Sequence, residues 1–283
     1  MAPVTEIRPS PIAGLWYEAD AGQLRRQMEK YLSQAEAPAI NGEVIAVIAP
    51  HAGYRYSGHT AGYAFRSVQG QQPDLVVVVS PLHSYLAHAW FTTSHQAYAT
   101  PLGNIKVDQV ALQEVNRLLV EAGTPELLAI ANDDEHSIEI ELPFLQVALA
   151  GNFNLLPIMV RPLPGEMLYK LGCAIASAVR SRRALLVAST DLSHFYPEKT
   201  ARKLDSEMLH QISEFSPQGV LDAEEKGAGF ACGAPAVAAI LWAARELGGD
   251  RVQVLHQSTS ASATGDESRV VGYGAAVVYK QSR

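Results

Sequence analysis

Residues 44–58 carry the sequence VIAVIAPHAGYRYSG, in which an apolar run stops abruptly at PHAG, residues 50–53. The run from Val44 to Ala49 is typical of a buried strand. Pro50 fixes φ and Gly53 permits a tight turn, so the histidine between them is held firmly at the strand end. His51 is therefore a candidate metal ligand, although a single histidine more often has a structural role.

Two further apolar runs end in the same way. VVVSPLHSY (77–85) ends on His83, and LLVASTDLSHF (185–195) ends on Asp191 and His194. In sheets of parallel strands, ligands bind outside the carboxyl ends of the strands. The coincidence of these residue types at three strand ends predicts one functional site there.

The spacing of apolar residues predicts strands that alternate with helices. The predicted strands are 44–49, 75–80, 155–160, 184–189, 252–257 and 270–279. The predicted helices are 21–34, 58–67, 107–121, 135–150, 166–180, 199–214 and 234–247. Such alternation is typical of an α/β fold with a central, mostly parallel or mixed sheet flanked by helices. The segment WFTTSHQAYATPLG (90–103) fits a short antiparallel excursion.

Composition bounds the class of protein. With 283 residues, 48% of them hydrophobic, and no repeat or low-complexity linker, the chain is predicted to form one domain over 1–283. A net charge of -7 and no Lys/Arg run argue against nucleic acid as a partner. The sequence has no apolar run long enough to span a bilayer and no signal-peptide pattern at its start, which predicts a cytoplasmic protein with no membrane association.

Cys232 directly precedes an alanine-rich helical pattern that has Pro235 in its first turn. A thiol at a helix N-terminus gains thiolate character and becomes a good soft ligand. The alternative is a small buried residue in a glycine-rich turn.

Asp191 and His194 also have two interpretations. Asp191 could orient or bind a metal ligand while His194 acts as a general acid/base, or Asp191 could be the N-cap of the turn DLSHF. His136 is predicted in the first turn of a helix that begins at Asp133 or Asp134, from where it could line the same cleft.

Eight segments, in order, resemble the Memo family, whose prokaryotic members form the B component of the AmmeMemoRadiSam system. They are PIAGLWYEAD (11–20), IAPHAGYRYSG (48–58), SPLHSY (80–85), TPLG (100–103), DDEHSIEIELPFL (133–145), STDLSHF (189–195), FACGAPA (230–236) and RVVGYGAAVVY (269–279). The resemblance implies a fold similar to the class III extradiol dioxygenases. It also implies a metal site of two histidines and a cysteine, matching His51, His83 and Cys232, with Asp191 and His194 beside it.

We therefore expect a metal-dependent oxidoreductase that binds iron or copper, with iron preferred, and acts on a small molecule. Dioxygen and other proteins of the AmmeMemoRadiSam system are candidate partners. His194 would move protons, Asp191 would orient a ligand, and Tyr54 would hydrogen-bond the substrate or an oxygen species.

Two alternatives come with the resemblance. One is an extradiol-type dioxygenase, although Cys232 stands where those enzymes use a carboxylate. The other is an adaptor that binds a peptide or phosphopeptide in the same cleft, as described for one family member. No basic residues cluster around these motifs, and Arg55 stands alone near His51, so the sequence does not favour binding of a phosphate group.

Overall fold

The computed structural model describes residues 6–36 and 38–282. Twelve strands in this part of the chain form two sheets. They are β1 (Ile7–Arg8), β2 (Gly42–Ala49), β3 (Leu75–Pro81), β4 (Trp90–Thr93), β5 (Ala97–Tyr98), β6 (Ile105–Lys106), β7 (Leu128–Ile130), β8 (Asn154–Val160), β9 (Ala184–Ser189), β10 (His194–Tyr196), β11 (Arg251–Thr259) and β12 (Val270–Gln281).

The helices of the described chain fall between these strands. They are α1 (Ala21–Gln34), α2 (Tyr54–Arg66), α3 (Gln109–Glu121), α4 (Leu142–Ala148), α5 (Gly165–Val179), α6 (Glu198–Ser213), α7 (Pro217–Glu225), α8 (Ala234–Glu246) and α9 (Ala261–Thr264). A short 3-10 helix, Glu139–Glu141, runs directly into α4. None of the described helices is long and apolar enough to cross a bilayer.

The main sheet has nine strands and is mixed, in the order β10-β12-β2-β9-β3-β8-β4-β7, with β11 paired to β12. Its centre, β2-β9-β3-β8, is parallel, whereas β12 and β4 join it antiparallel. Every residue of β3 is buried, as expected of a central strand covered on both faces. The predicted α/β class with a mixed sheet is therefore confirmed.

Helices cover both faces of this sheet. α1, α2 and α4 pack together on one face, and α3, α5, α8, α7 and α6 form a chain of neighbouring helices on the other. Asp20 is the N-cap of α1, and its carboxylate accepts a hydrogen bond from the Gln23 N–H at 2.8 Å. Strong local signals of this kind explain why the predicted bounds of α1 agree with the structure.

The helix predicted over 135–150 is wrong at its N-terminal end. Residues 135–138 form a loop, and helical geometry starts only at Glu139. The reason is tertiary, because the Asp133 side chain accepts from the N–H of Glu135 and also binds the guanidinium of Arg8. The acidic residues that resemble a helix start serve these contacts instead.

Candidate metal centre

Three central strands deliver polar side chains to one edge of the sheet. β2 and β3 both lie beside β9 and run parallel to it. The residues that follow these three strands therefore share one edge of the sheet: His51 after β2, His83 after β3 and Asp191 after β9. A cavity of about 710 Å³ opens there. It is lined by Leu15, Trp16, His51, Ala52, Gly53, Arg55, Tyr56, His83, His136, Asp191, His194, Phe195, Ser260, Thr264, Asp266, Arg269, Val271 and Tyr273.

Three imidazoles converge at the inner end of this cavity. In the described chain, His51, His83 and His136 form a group whose potential ligand atoms all lie within 4.8 Å of one another. His51 is 1% exposed, and burial together with the other two histidines lowers its pKa well below the usual value. All three donors are thus close enough to face a single cation, with His51 in the neutral form that a metal requires.

Glu135 holds two of these histidines in place. Its carboxylate accepts from the backbone N–H of His83 at 2.6 Å and lies 2.9 Å from His83 Nδ1. It also accepts from the N–H groups of His136 and Ser137, each at 3.0 Å. Burial alone would raise the pKa of Glu135, but these hydrogen bonds hold it below its usual range. Because Nδ1 of His83 is engaged by the carboxylate, Nε2 is left for a ligand.

The His51 ring is held by a fully buried hydroxyl and carboxyl. Ser189 Oγ lies 2.9 Å from His51 Nδ1, 2.7 Å from the Ser137 carbonyl and 2.6 Å from Glu141 Oε1. Glu141 Oε2 has no partner, and burial raises the Glu141 pKa well above its usual value. With Glu141 protonated, its acid proton can go to Ser189 Oγ, the Ser189 hydroxyl can donate to the Ser137 carbonyl, and His51 can donate from Nδ1. This arrangement leaves His51 Nε2 unprotonated.

We expect Glu141→Gln to change the free energy of unfolding by less than about 1 kcal/mol, because an amide N–H can replace the acid proton at Ser189. Glu141→Ala should cost roughly 2 kcal/mol or more, because it leaves a void and removes one of the hydrogen bonds at the buried Ser189 hydroxyl. Urea unfolding of both variants measures the difference. Equal losses in both would mean that Glu141 is ionised and accepts from Ser189.

Cys232 lies beside His51 but outside the three-histidine group. Its Sγ is 3.1 Å from His51 Nε2 and accepts from the Asp191 N–H at 3.3 Å. α8 starts just after it, yet burial and the nearby Asp191 raise the thiol pKa instead of lowering it. This shift is opposite to the thiolate character predicted for a thiol at a helix N-terminus, and Sγ also lies 3.6 Å from the Asp191 carbonyl oxygen.

Asp191 is not the N-cap of the turn DLSHF, because that turn leads into β10 and not into a helix. Its Oδ1 instead accepts from the N–H of His51 at 2.8 Å and of Ala52 at 3.2 Å, which fixes the backbone after β2. Burial raises the pKa of Asp191 to about 7. Asp191 thus orients His51 through the backbone.

His194 lines the same cavity, as the sequence pattern predicted for a residue following β9. Burial lowers its pKa below the usual value, so the ring is neutral at physiological pH and can accept a proton. The next residue, Phe195, has φ of +63° and is 59% exposed on the cavity wall. An aromatic residue rarely adopts this left-handed conformation.

Tyr54 is placed differently from the prediction. Its side chain is buried between Tyr17 and Phe144, and its hydroxyl donates to the carbonyl of Ile140. The first turn of α2 directs this residue into the core, whereas Tyr56 lines the cavity. A hydrogen bond from Tyr54 to a substrate is therefore not compatible with this arrangement.

Glu135 and Trp16 are among the residues of the site that the sequence did not indicate. Glu135 lies within an acidic run that resembles a helix start, and Trp16 follows the turn that begins at Ser10. Trp16 packs on the His136 ring with centroids 4.2 Å apart, and its carbonyl accepts from the Tyr54 N–H. The motifs PIAGLWYEAD and DDEHSIEIELPFL, which contain these residues, were the available signal.

Comparison with known proteins places the chain in a family. The model of the Memo-like protein family matches residues 8–277. A MEMO1 family protein of Aeropyrum pernix is 34% identical over 95% of this chain and 99% of its own length. Another from Methanothermobacter thermautotrophicus is 33% identical over 94% and 98%. An uncharacterized Escherichia coli K12 protein aligns in structure with a TM-score of 0.47 and 12% identity, covering 82% of this chain and 99% of its own.

The family match spans all the strand ends described above, together with the loop at 133–138 and the segment before α8. The chain belongs to the Memo family.

Proposed function

We propose that the protein is a metal-dependent redox enzyme that holds iron, or else copper, at its histidine cluster and acts on a small molecule in the cavity. The observation that carries this proposal is the convergence of the donor atoms of His51, His83 and His136 within 4.8 Å. Dioxygen is a candidate co-substrate. The chemistry of the donors fits either metal, because imidazole suits both iron and copper.

The surroundings of the histidines support metal binding. His51 and His83 each have Nδ1 engaged, by Ser189 and by Glu135 respectively. Metal-binding histidines in proteins are commonly fixed by a hydrogen bond from the other ring nitrogen in this way. The same pattern on two rings leaves both Nε2 atoms available to bind one cation.

The third ligand has two candidates. His136 is one candidate, because its potential ligand atom lies within 4.8 Å of those of His51 and His83. The resemblance implies Cys232 instead, whose sulfur lies 3.1 Å from His51 Nε2. A thiolate would favour a softer metal state such as cuprous ion, and a third imidazole leaves iron and copper equally suited. The experiment below includes both variants for this reason.

A bound iron or copper ion would supply one-electron redox chemistry. The protein's own part is to orient and to move protons. Asp191 fixes the backbone of His51, and Trp16 packs against His136. His194 is neutral and lines the cavity, so it can take a proton from a bound substrate.

An extradiol dioxygenase reaction is less well supported. That chemistry uses two histidines and one carboxylate as ligands. Asp191 Oδ1 and both Glu135 oxygens already accept hydrogen bonds from backbone N–H groups. These contacts direct the carboxylates to the protein backbone, so we favour other redox reactions of small molecules.

The test is anaerobic titration of the purified protein with ferrous and cuprous ions, followed by metal analysis. We expect one ion per chain in the wild type and a loss of metal affinity greater than about 100-fold in His51→Ala. Removing a residue that only hydrogen-bonds a metal ligand already lowers metal affinity by about 10–100-fold, and loss of a ligand should cost more. A similar loss in Cys232→Ser or in His136→Ala identifies the third ligand.

His210→Ala is the matched control, because His210 lies on α6, away from the cavity lining. Stoichiometric metal that persists in His51→Ala would contradict the proposed site. Redox function is tested separately by electrochemical titration of the loaded protein. A bound ion with no accessible redox couple would restrict the protein to a non-redox metal function.

A further inference from the structure

The outer part of the cavity carries two guanidinium groups that are far apart in sequence. Arg55 lies in the first turn of α2, and Arg269 directly precedes β12. Both line the cavity and both are exposed. In the sequence Arg55 stands alone near His51, and the fold brings Arg269 to the same cavity.

Neither arginine has a carboxylate partner within salt-bridge distance in the described part of the chain. Each lies instead over an aromatic ring of the cavity wall. Arg55 is 5.7 Å from the centroid of Tyr56, and Arg269 is 5.3 Å from that of Phe195. Stacking restrains a guanidinium while its in-plane N–H groups remain available for an anion.

The start of α2 contributes a partial positive charge of its own, although the Asp191 carboxylate beside it accepts from the N–H groups of His51 and Ala52. Ala52 and Gly53 line the cavity, and α2 begins there without a side-chain cap and without an acidic residue in its first turn. The positive end of the helix dipole therefore points toward the same space. Asp266 also lines the cavity, but its carboxylate accepts from the N–H and hydroxyl of Ser268 at 2.8 and 2.7 Å.

The strained backbone at Phe195 indicates that the ring position matters. Its φ of +63° is unfavourable for an aromatic residue, yet it holds the ring on the cavity wall beneath Arg269. Such strain concentrates at functional sites. A protein with a net charge of -7 thus keeps two restrained, unpaired cations in its main cavity.

We propose that the cavity binds a small molecule with a carboxylate or phosphate group, which Arg55 and Arg269 hold while the rest of the molecule faces the histidines. This inference rests on the proposed function, since it names the substrate class of the same site. The planar fork of arginine matches the geometry of both anions, and charge-assisted hydrogen bonds are among the strongest in proteins.

The test uses benzoate and phenyl phosphate as probes and benzyl alcohol as the neutral analogue. Binding is measured by NMR titration of the full-length protein, both loaded with ferrous ion under anaerobic conditions and after chelation. We expect at least one anion to bind roughly tenfold or more tightly than benzyl alcohol in both forms. The probe that binds tighter distinguishes a carboxylate from a phosphate ligand.

The double variant Arg55→Gln/Arg269→Gln should lose that preference for the anion while its affinity for benzyl alcohol and its metal content stay the same. Arg161→Gln is the matched control, because Arg161 also lies over an exposed aromatic ring, Tyr85, but outside the cavity. Anion binding in the wild type should also weaken as salt concentration rises.

The inference is overturned by anions that bind no better than benzyl alcohol, or by a double variant that binds them as the wild type does. Anion binding that disappears on chelation would assign the anion to the metal and would also overturn it. Arginine-dependent anion binding without metal uptake in any form would support the inference and contradict the proposed function.

Discussion

Replacing Arg8 by methionine is expected to lower the free energy of unfolding by about 3–5 kcal/mol, because it leaves buried carboxylates without their counter-ion. Arg8 is 1% exposed and contacts Glu139 Oε2 at 2.8 Å and Asp133 Oδ1 at 2.9 Å. It also donates to the backbone carbonyls of Asp133 and Glu135. Urea unfolding with a single spectroscopic probe, checked by calorimetry, measures the change.

Arg117→Met is the matched control for this experiment. Arg117 also contacts two carboxylates, those of Glu114 and Glu121, but all three side chains are exposed on α3. Exposed pairs of this kind contribute about 1 kcal/mol or less. We expect the two variants to differ because Arg8 is buried and Arg117 is exposed, although each contacts two carboxylates. Similar losses in the free energy of unfolding of both methionine variants would contradict this expectation.

The Arg8 variant should also affect the site. The carbonyls that Arg8 binds belong to the loop that carries Glu135 and His136, so the loop is anchored to β1. A stabilised background, or measurement at low temperature, keeps enough folded protein to test metal binding. We expect weaker ferrous ion affinity in folded Arg8→Met, with no change in folded Arg117→Met.

Glu135→Gln is expected to lower the affinity for ferrous or cuprous ion by about 10–100-fold. The carboxylate lies 2.9 Å from Nδ1 of His83 and accepts from three backbone N–H groups, those of His83, His136 and Ser137. An amide has one oxygen to accept and turns its NH₂ group toward some of these donors. His83 would lose its orientation, and the measurement is competition with a chelator of known affinity.

Asp134→Asn is the control for Glu135→Gln. It separates the effect of the hydrogen bonds to His83 on metal affinity from the effect of removing a negative charge near the cation. Asp134 is the neighbouring residue, is exposed, and carries the same charge. Both substitutions remove one negative charge near the bound cation, but Asp134→Asn leaves the hydrogen bonds of His83 in place. Equal losses of metal affinity would show that Glu135 acts through its charge at a distance and not by orienting His83.

Much of the fold could be predicted because its signals are local. The run LVVVV in β3 has no polar alternation, and the Asp20 cap marks the start of α1 within three residues. The loop at 135–138 could not be predicted, because its helix-like acidic pattern is overridden by Arg8, more than 120 residues away in sequence. α7, which begins at the Ser216 cap, was also missed, although its cap and Pro217 are helix-start signals.

The sequence by itself determined which chemistry reaches the edge of the sheet. His51, His83 and Asp191 follow apolar runs directly, and parallel strands place such residues on one side whatever their loops do. Only the tertiary structure decided which atoms meet, because loop paths and packing set distances of a few ångströms. It placed His136 with His51 and His83 and left Cys232 outside that group, turned Tyr54 into the core, and placed Arg269 in the lining of the same cavity.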